Sequence, residues 1–273
     1  MPRPSRLLLL FLSGIILVTP AAARFDASVS PPRFELTAKP GDVIRQVVNI
    51  SNGAREPARY TVKTADWDVD AQGRVQYQEG APSPGSCRPW VKIERHEISV
   101  GPEGSRPFRF EVHVPANAPR AECRFALLIA GAATQITPST GSQAIQMPIV
   151  GRLGVVAYIA VGGARADLRL ASLAIQKIDN RHVPIATFYN QGDAHGRIAG
   201  SLEAKDAAGR AVELVAQQSA IMPKGRMAIR LVPVDYSSGE PRVPSFDLAP
   251  PMHVRGTLQF LGGGEVKIDQ VLR

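Results

Sequence analysis

One stretch constrains this chain more than any other: residues 144–159, AIQMPIVGRLGVVAYI, in which Arg152 is the only charge. Its first half alternates, with Ile145, Met147 and Ile149 on one side and Gln146, Pro148 and Val150 on the other. A period of two is the mark of a strand whose faces meet different surroundings. β-Branched residues dominate the run, and Gly151 and Gly154 suit a strand better than a helix. Pro148 has no N–H to give to a ladder, so the expected place for this strand is the edge of a sheet. A long apolar edge is an aggregation hazard unless something pairs with it. The chain must therefore fold as β-structure that manages this edge.

The N-terminus sets the compartment. Arg3 and Arg6 precede an apolar run from Leu7 to Val18, followed by Pro20 and Ala21-Ala22-Ala23. This is the pattern of a cleaved secretory signal peptide over residues 1–23. Its apolar part is about a dozen residues, short of the roughly 20 that span a bilayer. The expected mature protein is periplasmic and soluble, 250 residues long, with 30 Lys and Arg against 24 Asp and Glu. The basic residues are scattered rather than run together, which argues against nucleic acid as a partner. That length is enough for one large or two ordinary domains.

Short stretches of strand character follow one another between turn residues: 28–37, 43–51, 59–69, 74–78, 90–100 interrupted near His96, 107–114 and 123–130. Residues 67–78 read as a hairpin around the turn at 70–73. Seven or so strands at this spacing predict an immunoglobulin-like sandwich. Gly162-Gly163 punctuates the chain, and further strands are expected at 168–178, 183–190, 197–205, 211–217, 226–233, 254–260 and 265–272. The fold class is therefore all-β: a first domain over residues 24–163 and a second β-sandwich over 164–273. The two cysteines, Cys87 and Cys123, are expected to form one disulfide in an oxidising compartment. In an up-and-down order the loops they close lie at the same end of the sandwich.

Little in the sequence points to catalysis. None of the five histidines, His96, His113, His182, His195 and His253, stands at ligand spacing from another, so no metal or other cofactor is expected. Asp66, Asp68 and Asp70 resemble part of a calcium loop but lack its further oxygen ligands and turn glycine, and read better as a solvated acidic hairpin. No GxSxG, HExxH, SxxK or phosphate-loop motif occurs. The expectation is a protein that binds rather than an enzyme.

With the signal segment and both sandwiches in hand, the chain resembles the periplasmic chaperones of chaperone–usher pilus assembly. The resemblance rests on VSPPRFEL at 29–36, GDVIRQVVNISN at 41–52, ECRFALLIA at 122–130 and the run at 144–159. It implies two immunoglobulin-like domains set at an angle, with the seventh strand lent to a pilus or surface-fibre subunit that lacks its own last strand. By position, Ile145, Met147 and Ile149 match the donor triplet. The family grips the subunit's terminal carboxylate with an arginine of the first strand, matched here by Arg33, and a lysine of the seventh. The lysine position falls on or near Gly154. Arg152, two residues earlier on the same face, could serve in its place, since arginine holds a carboxylate bidentately. The implied partners are pilus or surface-fibre subunits, an outer-membrane usher, and a second copy covering the edge when idle. A structural or adhesive immunoglobulin-like envelope protein is the competing reading, and it predicts a seventh strand paired on both sides.

Overall fold

The computed structural model describes residues 25–70, 74–132, 134–136, 139–140, 143–144, 147–236 and 239–273. The signal-peptide segment and Ile145 lie outside the described residues. Among the described residues, the first half of the chain forms fourteen strands, the longer ones built on alternation of apolar and polar residues. They are β1 (Ala27–Ser30), β2 (Arg33–Ala38), β3 (Val43–Asn52), β4 (Ala58–Val69), β5 (Val75–Gln78), β6 (Val91–Ile93), β7 (Glu97–Val100), β8 (Ser105–His113), β9 (Ala121–Gly131), β10 (Thr134–Ile136), β11 (Ser139–Thr140), β12 (Gln143–Ala144), β13 (Met147–Ile149) and β14 (Arg152–Val161). Eight more follow: β15 (Leu168–Ile178), β16 (Arg181–Asn190), β17 (Arg197–Ala199), β18 (Ser201–Lys205), β19 (Ala211–Ala216), β20 (Arg226–Val234), β21 (Met252–Leu261) and β22 (Glu265–Leu272).

Two sheets build the first sandwich. One has the order β1-β3-β8-β6, the other β2-β14-β9-β4-β5 with β7 also on β4. Their inner faces meet through Val48, Ile50, Phe108, Phe110 and Val112 on one side and Val62, Phe125, Leu127, Ile129, Val155, Ala157 and Ile159 on the other. In each strand these are alternate residues, as pleating requires. Phe110 packs edge-on against both Phe34 (5.3 Å between centroids) and Phe125 (5.8 Å). Cys87 and Cys123 are joined, with Cα atoms 5.4 Å apart, as the sequence predicts.

The single first strand expected over 28–37 is divided in two. β1 pairs antiparallel with β3, whereas β2 pairs parallel with β14 in the opposite sheet. Pro31-Pro32 is the cause: two consecutive residues without N–H groups cannot sit in a ladder, so the chain crosses between sheets there. The crossing decides how much of β14 is covered. β2 begins opposite Val156, and its register runs from Arg33↔Val156 to Ala38↔Val161.

The second half of the chain forms a path of antiparallel strands in the order β15-β16-β20-β19-β18-β21-β17, with β22 on β21. β20 belongs to both layers: Arg226–Arg230 pairs with β16, and Leu231–Val234 pairs with β19. The layers enclose a separate core that includes Phe188, Leu202, Leu214, Ile229, Leu231, Met252 and Leu258. Between the two cores lies a small buried cluster of Trp67, Ala126, Tyr158 and Ala220, flanked by Val156 and Met222. It seats the outer face of the β2-β14-β9-β4 sheet against the second sandwich.

Candidate functional site: an edge and a cleft

The sequence-predicted edge is half realised. From Val156 onward β14 is an interior strand, held by β2 on one side and β9 on the other. This explains the uniformly apolar second half of the run, because Val155, Ala157 and Ile159 face one core while Tyr158 is buried against the other sandwich. The first half differs. Among the described residues, Arg152–Val155 pairs only with β9 and Met147–Ile149 pairs only with β10. Met147 and Ile149 thus lie in β13, in register with Ile136 and Thr134.

The two arginines are set apart. Arg33 is level with Val156, four residues along β14 from Arg152, or about 13 Å at the rise of a strand. Each already has a carboxylate: Arg33 bonds Glu35 at 2.8 Å, and Arg152 bonds Glu79 at 2.5 Å. Gly154, where the family's lysine would fall, lies under Tyr77. A Cβ there would stand 2.0 Å from the Tyr77 hydroxyl, so only glycine admits this ring. The β4–β5 hairpin therefore lies over the outer face beside Gly154.

A cleft between the sandwiches, a cavity of about 300 Å3, gathers residues that the sequence reading had not joined. Glu35 accepts Arg197 Nε at 2.9 Å and Arg33 Nε at 2.8 Å, with His195 Nε2 3.5 Å away. His195 stacks on Tyr158 with centroids 3.8 Å apart, and its backbone N–H donates to Glu122 Oε2 at 2.9 Å. The ring Nδ1 of His195 meets the same oxygen at 2.5 Å. Arg197 also donates to the Tyr158 hydroxyl at 3.2 Å and is almost fully buried. Glu35 comes from β2, Glu122 from β9, Tyr158 from β14, and His195 and Arg197 from the start of β17 and the loop before it. The only sequence signal was Arg33 and Glu35 at i and i+2, side by side on one strand face.

Burial pushes the Glu35 carboxyl up, but the Arg197 hydrogen bond and the charges of His195, Arg197 and Arg33 outweigh it, holding the group below its ordinary 4.5. A carboxylate depressed in the folded state adds stability above its unfolded value that is lost as pH falls through the folded one. We therefore expect the urea midpoint to fall on acidification below pH 4.5, and Glu35→Gln to lessen that fall relative to wild type. Identical pH profiles for the two proteins would remove Glu35 from the account.

The three aspartates near Trp67 diverge. Buried Asp66 accepts Ser83 N at 2.7 Å and the Ser86 hydroxyl; Asp68 faces Arg124 at 3.6 Å; Asp70 holds Arg74 at the hairpin turn. Asp66 is thus a loop anchor rather than part of a solvated face. Among the described residues no group of three or more His, Cys, Asp or Glu is placed to hold a metal ion.

No protein-family model matches the chain, and no curated protein sequence does. Several solved structures are similar in fold. The YadV chaperone is 10% identical, with a TM-score of 0.46 over 90% of this chain and 100% of its own. The class 5 fimbriae chaperone CfaA is 11% identical, with a TM-score of 0.42 over 91% of this chain and 99% of its own. A third is the pre-assembly complex of the chaperone CsuC with the tip adhesion subunit CsuE, from archaic chaperone–usher Csu pili of Acinetobacter baumannii. It is 12% identical, with a TM-score of 0.43 over 89% of this chain and 97% of the matched chain. At such identities no residue role is carried over from these structures.

Proposed function

We propose that this chain is a periplasmic assembly chaperone that binds pilus or surface-fibre subunits by strand addition along residues 144–155. One observation carries the reading: among the described residues, β13 and the first four residues of β14 are paired on one edge only, because β2 joins β14 no earlier than Val156. An apolar edge of this kind is a template for another chain, with main-chain bonds supplying affinity and alternate side chains supplying register. In this reading Ile145, Met147 and Ile149 are the donor residues. Arg33 and Arg152 bind the client at separate points, each exchanging its present carboxylate for one of the client's. The unit is two sandwiches divided near residue 163, its work is binding, and it requires no cofactor. An outer-membrane usher is the expected second partner, and a second copy is the expected cover for an idle edge.

Co-purification from periplasm tests the proposal. Placing a carboxylate at two donor positions, Ile145→Asp with Ile149→Asp, buries two charges in the client groove, each at a cost of several kcal/mol. Recovery of bound subunits should fall at least tenfold while the chaperone itself stays folded. Equal recovery by both proteins would eliminate strand donation.

A further inference from the structure

On the other side of the linker is a cavity of about 520 Å3 that the strand-donation reading does not use. Its walls bring together Arg120 from the end of the first sandwich, Arg165 and Arg169 from the linker and the start of β15, and Lys224 from the loop before β20. The carboxylates present are those of Asp167 and Asp193. Both Asp193 oxygens are engaged: Oδ1 accepts the Arg165 backbone N–H at 2.6 Å and Oδ2 accepts Arg120 Nε at 2.8 Å. Asp167 pairs with Arg169 at 3.1 Å. Among the described residues, two cations remain without a countercharge. The Lys224 ammonium donates only to the neutral Gln191 carbonyl, and the Arg165 guanidinium makes no ion pair or hydrogen bond among the described residues.

This cavity is rigidly built. The linker is laced to the 191–194 loop by Gln191 N→Asp167 O (2.8 Å), Asp193 N→Arg165 O (3.0 Å) and Ala194 N→Arg165 O (3.2 Å). The same loop is tied to the first sandwich by Glu122 N→Asp193 O at 2.8 Å. Backbone packs directly on backbone at Gly192, where a Cβ would stand 2.3 Å from the Arg165 carbonyl oxygen. Gly262 and Gly263 form a rim with open space where side chains would be. A pre-organised pocket with two uncompensated cations favours a dianion, and a guanidinium and an ammonium lining one cavity suit phosphate oxygens in particular. The volume exceeds that of a phosphate group alone, leaving room for an organic substituent.

We infer that this junction pocket binds a phosphate monoester, with Arg165 and Lys224 as the principal contacts and Arg120 and Arg169 in support. Because its residues come from the first sandwich, the linker and the second sandwich, an occupant braces all three. Nothing in this inference depends on strand donation.

Calorimetric titration of the full mature chain with glycerol phosphate should give saturable binding with Kd on the order of 1 mM or tighter. Arg165→Gln and Lys224→Gln should each weaken it by about tenfold, the expected worth of a charge-assisted contact. Arg226→Gln, at an exposed position of β20 outside the cavity, should leave it unchanged. Arg165 lends no side-chain bond to the fold, so its variant also separates loss of binding from loss of structure. Phosphatidate vesicles sedimented with the protein, against phosphatidylcholine vesicles alone, distinguish a lipid headgroup from a soluble ester. The inference fails if Arg165→Gln binds glycerol phosphate as wild type does, or if a hexa-aspartate peptide binds as tightly as the ester.

Discussion

Replacing Cys87 and Cys123 together by alanine is expected to lower the stability of the first sandwich by roughly 3–4 kcal/mol. The bridge spans a sequence separation of 36, and in the chain-entropy account a loop of that size removes freedom of this order from the unfolded chain. Both residues are buried: Cys87 caps the short helical turn at Arg88–Trp90, and Cys123 lies in β9 two residues before Phe125. The bond therefore ties the loop after β5 to the strand that pairs with β14, the strand on which the proposed donor edge rests. Both tryptophans of the chain, Trp67 and Trp90, lie on the first sandwich, so their fluorescence in a urea titration follows this unit and, through Trp67, its seam with the second. An unchanged midpoint for the variant, with a wild-type mass that confirms the bridge, would show that the cross-link is energetically idle.

The second large effect is expected at the seam. Trp67→Ala should cost about 3–5 kcal/mol, the usual range for removing a buried tryptophan. Its ring packs edge-on against Tyr158 at 4.8 Å, lies beneath the Arg124 guanidinium, and donates Nε1–H to the Phe125 carbonyl at 2.8 Å. Tyr158 in turn holds His195 and Arg197 of the second sandwich, so the cavity opens beneath the contact that couples the two units. Trp67→Phe keeps most of the packing and loses the hydrogen bond, worth about 1 kcal/mol. Trp90 fluorescence and calorimetry should show the alanine variant melting in two separated steps and the phenylalanine variant close to wild type. A single step displaced by under about 1 kcal/mol would mean that the seam is held elsewhere.

The physical origin of each feature decides whether it can be read from the sequence. Strand periods are local, so β3, β4, β8, β9 and nearly every strand of the second sandwich stand within a residue or two of where alternation puts them. The cysteine pair was legible because two thiols in a chain expected to be exported have few other uses. The division of the first strand is marked in the sequence only by Pro31-Pro32, because strand character continues on both sides. The run at 144–159 was readable as a strand with two different halves. That its second half is an interior strand depends on where β2 arrives, which is a matter of register between residues more than a hundred positions apart.

The cleft was legible least of all. Arg197 and Glu35 are 162 residues apart, and nothing in the neighbourhood of either marks it for the other. The same holds for the junction cavity, whose cations come from three separated segments and look like ordinary surface charge in the sequence. By itself, the sequence determined the all-β class, the two sets of strands, the disulfide and the alternating stretch proposed as the donor, because each follows from side chains near in sequence or from a pair with no other partner. Only the tertiary structure decided which part of that stretch is paired on both sides, and which charges face one another. Those outcomes are set by the path of the chain between sheets, and no local rule of side-chain chemistry specifies that path.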